Sequence, residues 1–415
     1  MKNKSRAPSP QPRAPTEYDI IIIGGGLVGT SLACALAGSR ARIAVVEAVP
    51  ARAAQHPSYD DRGLALSVAS KNILDSIKVW PDLSAQVCPI RCIHVSDRGH
   101  FGFVRLHARD INAEVLGYVV SARELGQALA SVSAGHGNIE LICPARTLEI
   151  NAATDCISIK LDSGKQQVTL RCKLLVAADG ARSETCRQLG IPMRSKDYGQ
   201  TAIIANISTE KPHDHIAYER FTDSGPLALL PLPERRCKIV FTVRTGDADY
   251  YLDMAAAEFL ETIQARFGRR LGRFTRVGAR KSYPLMLHQA EQQIRERTVL
   301  LGNAAHTIHP NGAQGLNLCL RDVAALAAGL VPVLENGADP GDPVLLEKYL
   351  SDRLPDQRNI IRFTDGLASL FYDQQPLKVL ARNSGMLMMD LFPVLKRKLL
   401  SCAMGSNGKS TVMVR

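Results

Sequence analysis

The chain has 415 residues, too many for one ordinary core and enough for two or three domains. Its 46% hydrophobic and 22% charged residues are globular values, which exclude a disordered chain. Of the formal net charge of +11, +9 lies in residues 1–16 and 396–415, which hold no acid, and this argues against a basic nucleic-acid groove on the folded body. The ten cysteines form no C-x-x-C pair and sit mostly in apolar strings, the usage of reduced thiols in a cytosolic protein. No run approaches ~18 apolar residues, so no membrane span is expected. The start, MKNKSRAPSPQPRAP, is basic, has no apolar signal core and reads as a disordered leader over 1–16.

Order is expected from Tyr18. The run Asp19 to Ile23 reads as a fully buried parallel strand, Leu27 to Ala37 as a helix and Arg42 to Glu47 as a second buried strand, together a βαβ unit. Residues 60–84 read as a loop and then a helix ending at Trp80-Pro81. Short alternating segments follow over 86–117 (Ile93 to Ser96, Phe101 to Leu106), then a helix from Ser121 to Ser131. Strands are expected near 139–150, 156–161 and 167–178, with a turn at Asp162-Ser163-Gly164. Residues 200–245 read as antiparallel strands, Met254 to Phe267 as a helix and Thr298 to Leu301 as a buried strand. A Gly/Asn/Pro-rich loop then leads into a helix from Leu316 to Leu330. From Val344 the chain reads as helical, with Ile360, Phe363, Leu367, Leu370 and Phe371 on one face. This order predicts a mixed α/β (α+β) fold. A discontinuous nucleotide domain is expected from 17–85, 118–185 and 281–338, and a β-rich second domain from 86–117 and 186–280. C-terminal helices over 339–400 and a basic tail over 401–415 complete it.

Gly24-x-Gly26-x-x-Gly29 lies between the first strand and the first helix. The first glycine allows the tight turn, the second lets backbone approach a pyrophosphate, and the third lets helix pack on strand. The helix N-terminus then offers unpaired N–H groups to the phosphates. Glu47, 23 residues after Gly24, can accept from both hydroxyls of an adenosine ribose and would repel a 2′-phosphate, so NADP is not the expected ligand of this site. This pattern does not separate FAD from NAD. Two further stations do: Leu174 to Ala178 running into Asp179-Gly180-Ala181-Arg182-Ser183, and Thr298 to His306 followed by His309-Pro310-Asn311-Gly312-Ala313-Gln314-Gly315-Leu316-Asn317.

The three stations resemble the dinucleotide, DG and GD fingerprints of the class A flavoprotein aromatic hydroxylases. Asp60 to Leu66, Ile93 to His100, YERFTDSGPLALLPL (218–232) and Tyr283-Pro284-Leu285 resemble the ubiquinone-biosynthesis branch of that family, collinearly over about residues 18–395. The resemblance implies a Rossmann-like FAD-binding domain of the aromatic-hydroxylase type, an inserted antiparallel-sheet substrate domain and a C-terminal helical segment. It implies non-covalent FAD at Gly24, Gly26, Gly29, Glu47, Arg62, Arg123, Asp179, Gly180, Gly302, Asn303, Gly315, Leu316 and Asn317, with Pro310 and Gly312 in the active-site loop and no resident metal. The implied reaction uses NAD(P)H as a transient reductant and O₂, activated at flavin C4a, to hydroxylate a 2-polyprenyl-6-methoxyphenol para to its hydroxyl. Departures from the family pattern are Asn303 for Asp, Ala313 for the first Gly of G-Q-G, and Arg187 one place late for a basic residue, which is therefore not carried over. A Cβ at 313 is expected to be harmless only at negative φ. His306-x-x-His309 lacks the spacing of a metal pair, and His213-Asp214-His215 reads as a solvated turn.

Rival readings are a sister hydroxylase acting at another ring carbon, a flavin halogenase and a non-catalytic prenyl-binding protein of the same fold. The single tryptophan, Trp80, weighs against the halogenase and the intact Gly302 station against the prenyl binder. The expected partners are a polyprenylated phenol, other ubiquinone-biosynthesis proteins and a membrane surface, with no nucleic acid. The expected location is cytoplasmic, peripheral on the inner membrane, because Met386 to Leu400 is apolar and then basic.

Overall fold

The computed structural model describes residues 16–50, 62–164, 166–372 and 375–403. The basic leader, the tail beyond 403 and the Asp60-Asp61 pair lie outside the described residues. The chain opens with β1 (Thr16–Ile23), α1 (Leu27–Ala35), β2 (Ile43–Val46), β3 (Gly63–Ser67), α2 (Val68–Ser76) and the single turn α3 (Trp80–Leu83). Then follow β4 (Cys88–Ile90), β5 (Cys92–Asp97), β6 (Phe103–His107), β7 (Gly117–Ser121), α4 (Ala122–Ala134), β8 (Ile139–Ile142), β9 (Arg146–Ala152), β10 (Ile157–Asp162) and β11 (Gln167–Ala177). The middle of the chain forms α5 (Glu184–Gln188), β12 (Met193–Thr209), β13 (Ile216–Thr222), β14 (Gly225–Leu232), β15 (Arg236–Arg244), α6 (Ala248–Asp253), α7 (Ala256–Phe267), β16 (Phe274–Val277) and β17 (Lys281–Ala290). Last come β18 (Ile294–Arg295), β19 (Thr298–Leu300), β20 (His306–Thr307), α8 (Gln314–Glu335), α9 (Pro343–Tyr372), α10 (Pro376–Leu391) and α11 (Pro393–Ala403).

The nucleotide-type sheet runs β18-β19-β11-β1-β2-β8, with β1 parallel to both β2 and β11 and with β10 and β9 added antiparallel beyond β11. The isoleucine run of β1 is buried on both faces, which is why it shows no polar alternation. Ile20 and Ile22 pack into the core shared with α1 and α8, whereas Ile21 and Ile23 pack with Ile150, Ile157 and Ile159 of β9 and β10.

A second sheet of nine strands runs β20-β17-β12-β15-β14-β13-β5-β6, with β16 beside β12. Its pairings are antiparallel except β13 with β5, which run parallel in the register Ala217↔Ile93. One face carries Tyr218, Leu229, Ile239 and Phe241 against Phe259 and Ile263 of α7. The other carries Phe221, which packs with Phe371 of α9 and Met386 of α10. A small sheet, β3-β7-β4, stands between the two.

Several expectations need correction. Residues 63–67 form a strand, not a loop: the segment Gly-Leu-Ala-Leu-Ser has no β-branched residue to signal one, and its pairing with β7 (Gly63↔Ser121) is a tertiary effect. Pro81 does not end a helix but lies in the first turn of α3, where a missing N–H costs nothing. Residues 281–290 pair with β12, so β17 joins the nine-stranded sheet and not the nucleotide-type sheet. β4 and β7 likewise belong to the small sheet. Finally, the segment Asn311–Glu335, which ends in α8, is long and apolar enough to cross a bilayer, but 61% of its apolar window is buried in the protein, and it serves as a core helix.

Candidate functional site

The turn between β1 and α1 is made by three close approaches. Gly24 has φ +107°, its N–H donates to Val46 O at 2.8 Å, and a Cβ on it would lie 2.4 Å from Ala178 O. Gly26 is the N-cap of α1. A Cβ on Gly29 would lie 2.0 Å from Gly24 O and 3.1 Å from the Ile22 side chain, so only glycine lets this helix sit on its strand. The Glu47 carboxylate accepts the Gly25 N–H at 2.7 Å on Oε2 and the Val49 N–H at 2.8 Å on Oε1. Two backbone donors thus fix the acid at the end of β2, where a carboxylate suits the hydroxyls of a ribose. Gly25, absent from the sequence-predicted set, is as constrained as its neighbours, because a Cβ there would meet Glu47 Cβ at 2.9 Å.

The second station abuts the first through the Gly24–Ala178 contact. Its acid is turned elsewhere. Asp179 accepts from Ser183 Oγ at 2.6 Å and from Thr185 N and Oγ1 at 3.0 Å each, so its side chain organises the start of α5. Gly180 has φ +86° and open space where a Cβ would be. Arg187 is exposed and paired with Glu184.

Gly302, at φ +65°, brings the third station against Val28 of α1, with a Cβ position 3.0 Å from its side chain. Asn303 is exposed beside it. In the loop that follows, Gly312 has φ +66° and Ala313 φ +52°. Ala313 therefore sits in the left-handed region, contrary to the condition set for it from sequence, at a cost of about 1–2 kcal/mol. Gln314, Gly315 and Leu316 form the first turn of α8, the end of a helix toward which N–H groups and the positive end of the dipole point. Asn317 is a staple: Oδ1 accepts from Ser67 N at 2.8 Å and Ser70 Oγ at 2.7 Å, and Nδ2 donates to Ala65 O at 2.9 Å and Ala313 O at 2.8 Å. Its side chain has no capacity left for a ligand, so it positions the helix start for Gly315 and Leu316.

Arg62 and Arg123 come to one corner, where Ala122 N–H donates to Arg62 O at 2.8 Å and the Arg62 guanidinium lies 5.2 Å from the Tyr283 ring centroid. Beneath the loop, His306 Nε2 and Asp322 Oδ2 are 2.7 Å apart and fully buried, and Arg353 Nε reaches Asp322 Oδ1 at 2.7 Å. Burial raises the Asp322 carboxyl, but the bonds to His306 and Arg353 outweigh it and hold the group below its ordinary value. Burial pushes the His309 ring down to about 4, so it is neutral at physiological pH.

A small pocket opens between the nine-stranded sheet (Gln200, Phe221, Pro226), the loop (His309, Asn311) and Phe371 of α9. The rings of Phe221 and Phe371 stack at 3.4 Å between centroids. His309 Nε2 and both polar atoms of the Asn311 amide are buried there without a partner. Orphaned polar atoms beside a helix N-terminus suit a polar ring system such as a flavin's. Glu219, on β13, accepts the Gly312 N–H of the loop. The sequence reading gave Asn311 a place in the third station but no role, and it missed Glu219 as a site residue. For Glu219 a signal existed: it shares strand parity with the apolar Ala217 and Phe221. The His213 expectation was also wrong, since His213 is buried and bonded to Leu232 O at 2.8 Å. With its other nitrogen accepting from His215 N, His213 has nothing left for a metal, although Cys88 and His215 lie close by.

Residues 17–364 match the model of a family described as FAD binding domain. Over 389 residues the chain is 38% identical to ubiquinone hydroxylase UbiL of Rhodospirillum rubrum, covering 94% of this chain and 90% of that protein. It is 31% identical to the 3-demethoxyubiquinol 3-hydroxylase of Escherichia coli, over 94% of this chain and 99% of the relative. Among solved structures, p-nitrophenol 4-monooxygenase PnpA of Pseudomonas putida superposes with a TM-score of 0.79 at 19% identity, over 95% of this chain and all of that one, a likeness of fold.

Proposed function

The chain belongs to the FAD-binding family, in its ubiquinone-hydroxylase branch, and from that premise we propose that its substrate is a 2-polyprenyl-6-methoxyphenol, hydroxylated para to the phenolic oxygen. It is an FAD-dependent monooxygenase with NAD(P)H and O₂ as co-substrates. When bound, FAD supplies electron transfer from NAD(P)H and the activation of O₂. The protein's own contribution is position and electrostatics. Glu47 and the Gly24–Gly29 turn hold the adenosine half, and Gly180, Gly302 and Asn303 lie along the way to the loop. The first-turn N–H groups of α8 stabilise negative charge at the flavin end of the site.

The observation that carries the substrate reading is where the branch-specific string folds. YERFTDSGPLALLPL becomes the hairpin of β13 and β14, which supplies Phe221, Gly225 and Pro226 to the pocket wall opposite Asn311. The test is turnover of the holoenzyme with NAD(P)H and a short-chain 2-prenyl-6-methoxyphenol, the product identified by mass and NMR. A para hydroxyl supports the reading. Oxidation at another ring carbon moves it to a sister hydroxylase.

A polyprenyl phenol partitions into lipid, each buried CH₂ being worth about 0.8 kcal/mol, so the enzyme collects its substrate at a bilayer. The last two helices suit that task. Among the described residues, seven of the thirteen exposed large hydrophobics lie between 377 and 395, including Leu377 (82% exposed), Leu391 (66%) and Val394 (69%). Arg397 and Lys398 follow on α11. Basic residues beside an apolar face bind anionic lipid at about 1 kcal/mol per charge near the surface. The protein is expected to float with anionic liposomes at low salt and to be released at high salt, and Leu391→Glu with Val394→Glu is expected to abolish flotation. A double variant that floats like the wild type rules out this face.

A further inference from the structure

Glu219 stands alone among apolar neighbours. Side chains alternate along β13, so Ala217, Glu219 and Phe221 share the face toward the 309–313 loop and α9. Strand register places Val95 of β5 on one side of Glu219 and Ala228 of β14 on the other, with Val240 of β15 beyond. Its carboxylate accepts the Gly312 N–H, and among the described residues it has no ion pair. A glutamine would accept the same N–H, so the fold itself does not require an acid.

The charged and titratable groups around it are already engaged or neutral. Asp97 of β5, level with Phe221, is held by Arg382 and Asn383 of α10. Asp365 of α9 is bonded to Lys196 and Tyr198 of β12. Lys238 of β15 lies further along the same face, Arg62 lies over Tyr283, and His309 is neutral. None of them offsets the desolvation of Glu219, and burial pushes its carboxyl up to about 7, a value the Gly312 bond only moderates.

We propose that Glu219 is a catalytic residue, the general base that takes the phenolic proton as the ring is hydroxylated. This rests on the hydroxylase reading above. The phenol O–H bond breaks, the proton moves to a Glu219 oxygen, and the freed electron pair enters the ring and enriches the carbon para to it. That carbon bonds the electrophilic oxygen supplied by the flavin and O₂ chemistry. The hydrogen it carried leaves to solvent as a proton when aromaticity returns, and the Glu219 proton goes back to the phenolic oxygen, which leaves a neutral quinol and an ionised base. A base titrating near neutrality is matched to this transfer at physiological pH.

The experiment compares wild-type, Glu219→Gln and Glu219→Asp holoenzymes on a short-chain 2-prenyl-6-methoxyphenol between pH 5.5 and 9. Wild-type turnover is expected to rise through about pH 7 as the carboxylate ionises. Glu219→Gln should lose about 10²- to 10³-fold and the pH limb with it, while Glu219→Asp keeps the limb at a reduced rate. A ring-fluorinated phenol, more acidic at its hydroxyl, should narrow the gap between wild type and Glu219→Gln. A readout independent of turnover is the unfolding midpoint. A carboxyl whose folded value is raised contributes stability that is lost as pH climbs from its ordinary value to the folded one, so Glu219→Gln should gain on the wild type between about pH 4.5 and 7 and level off above that. Hydroxylation by Glu219→Gln at the wild-type rate with the same pH limb, or a midpoint difference that does not change with pH, overturns the assignment. If the wild type itself yields no hydroxylated product, the hydroxylase reading fails instead.

Discussion

A Gly29→Val variant is expected to purify colourless and destabilised by about 3 kcal/mol, the upper range for overpacking. The reason is geometric: even a Cβ at 29 would sit 2.0 Å from the Gly24 carbonyl oxygen, and two further methyl groups would reach toward Ile22. Relief requires α1 to lift off β1, and that movement takes the Gly26 N-cap and the Glu47 bond to Gly25 with it. The absorbance of the flavin at constant protein and the denaturant midpoint are the two measurements. Gly246→Ala, where a Cβ meets nothing within 4 Å, is the control and should leave both unchanged. Full flavin occupancy in Gly29→Val would mean that the turn is not the adenosine-side site.

The second large effect belongs to the buried charges below the loop. Asp322→Ala should cost about 3–5 kcal/mol, because it leaves Arg353 buried with half its partners and His306 with none of the bond seen here. The same group predicts a pH dependence. A carboxyl held below its ordinary value of 3.8 contributes stability that is fully present above that value and is lost as pH falls through the folded one. Wild-type protein should therefore show an acid-destabilisation limb below about pH 4 that Asp322→Asn lacks, read from urea midpoints across pH. Equal midpoints for wild type and Asp322→Ala at pH 7 would show that the network carries no net stability.

What the sequence revealed was what local chemistry encodes. The isoleucines of β1, the glycine spacing and Glu47 speak within one βαβ unit, and Gly24 and Gly29 have the steric reasons expected of them. The readings that failed depended on partners far away along the chain. β3 is a strand because β7 pairs with it, and β5 runs parallel to β13 across more than a hundred residues. The side chains of Asp179 and Asn317 kept their places at the site but not the expected role. Both are occupied by protein hydrogen bonds, one to α5 and the other between β3, α2 and α8. Nothing in a three-residue motif distinguishes an acid that meets a ligand from one that caps a helix. Ala313 shows the reverse problem: its strained backbone is imposed by the loop, and alanine carries no mark of it.

The four hydrogen bonds of Asn317 also bear on how tightly this end of the site can hold what it binds. A loop that must order itself around a ligand loses backbone freedom worth roughly 1–2 kcal/mol per residue, and that loss is subtracted from affinity. Here the staple joins β3, α2 and the first turn of α8 during folding. The entropy is surrendered before any ligand arrives, so the N–H groups at the helix start are preorganised. Loosening the staple should therefore weaken binding without removing a single contact to the ligand.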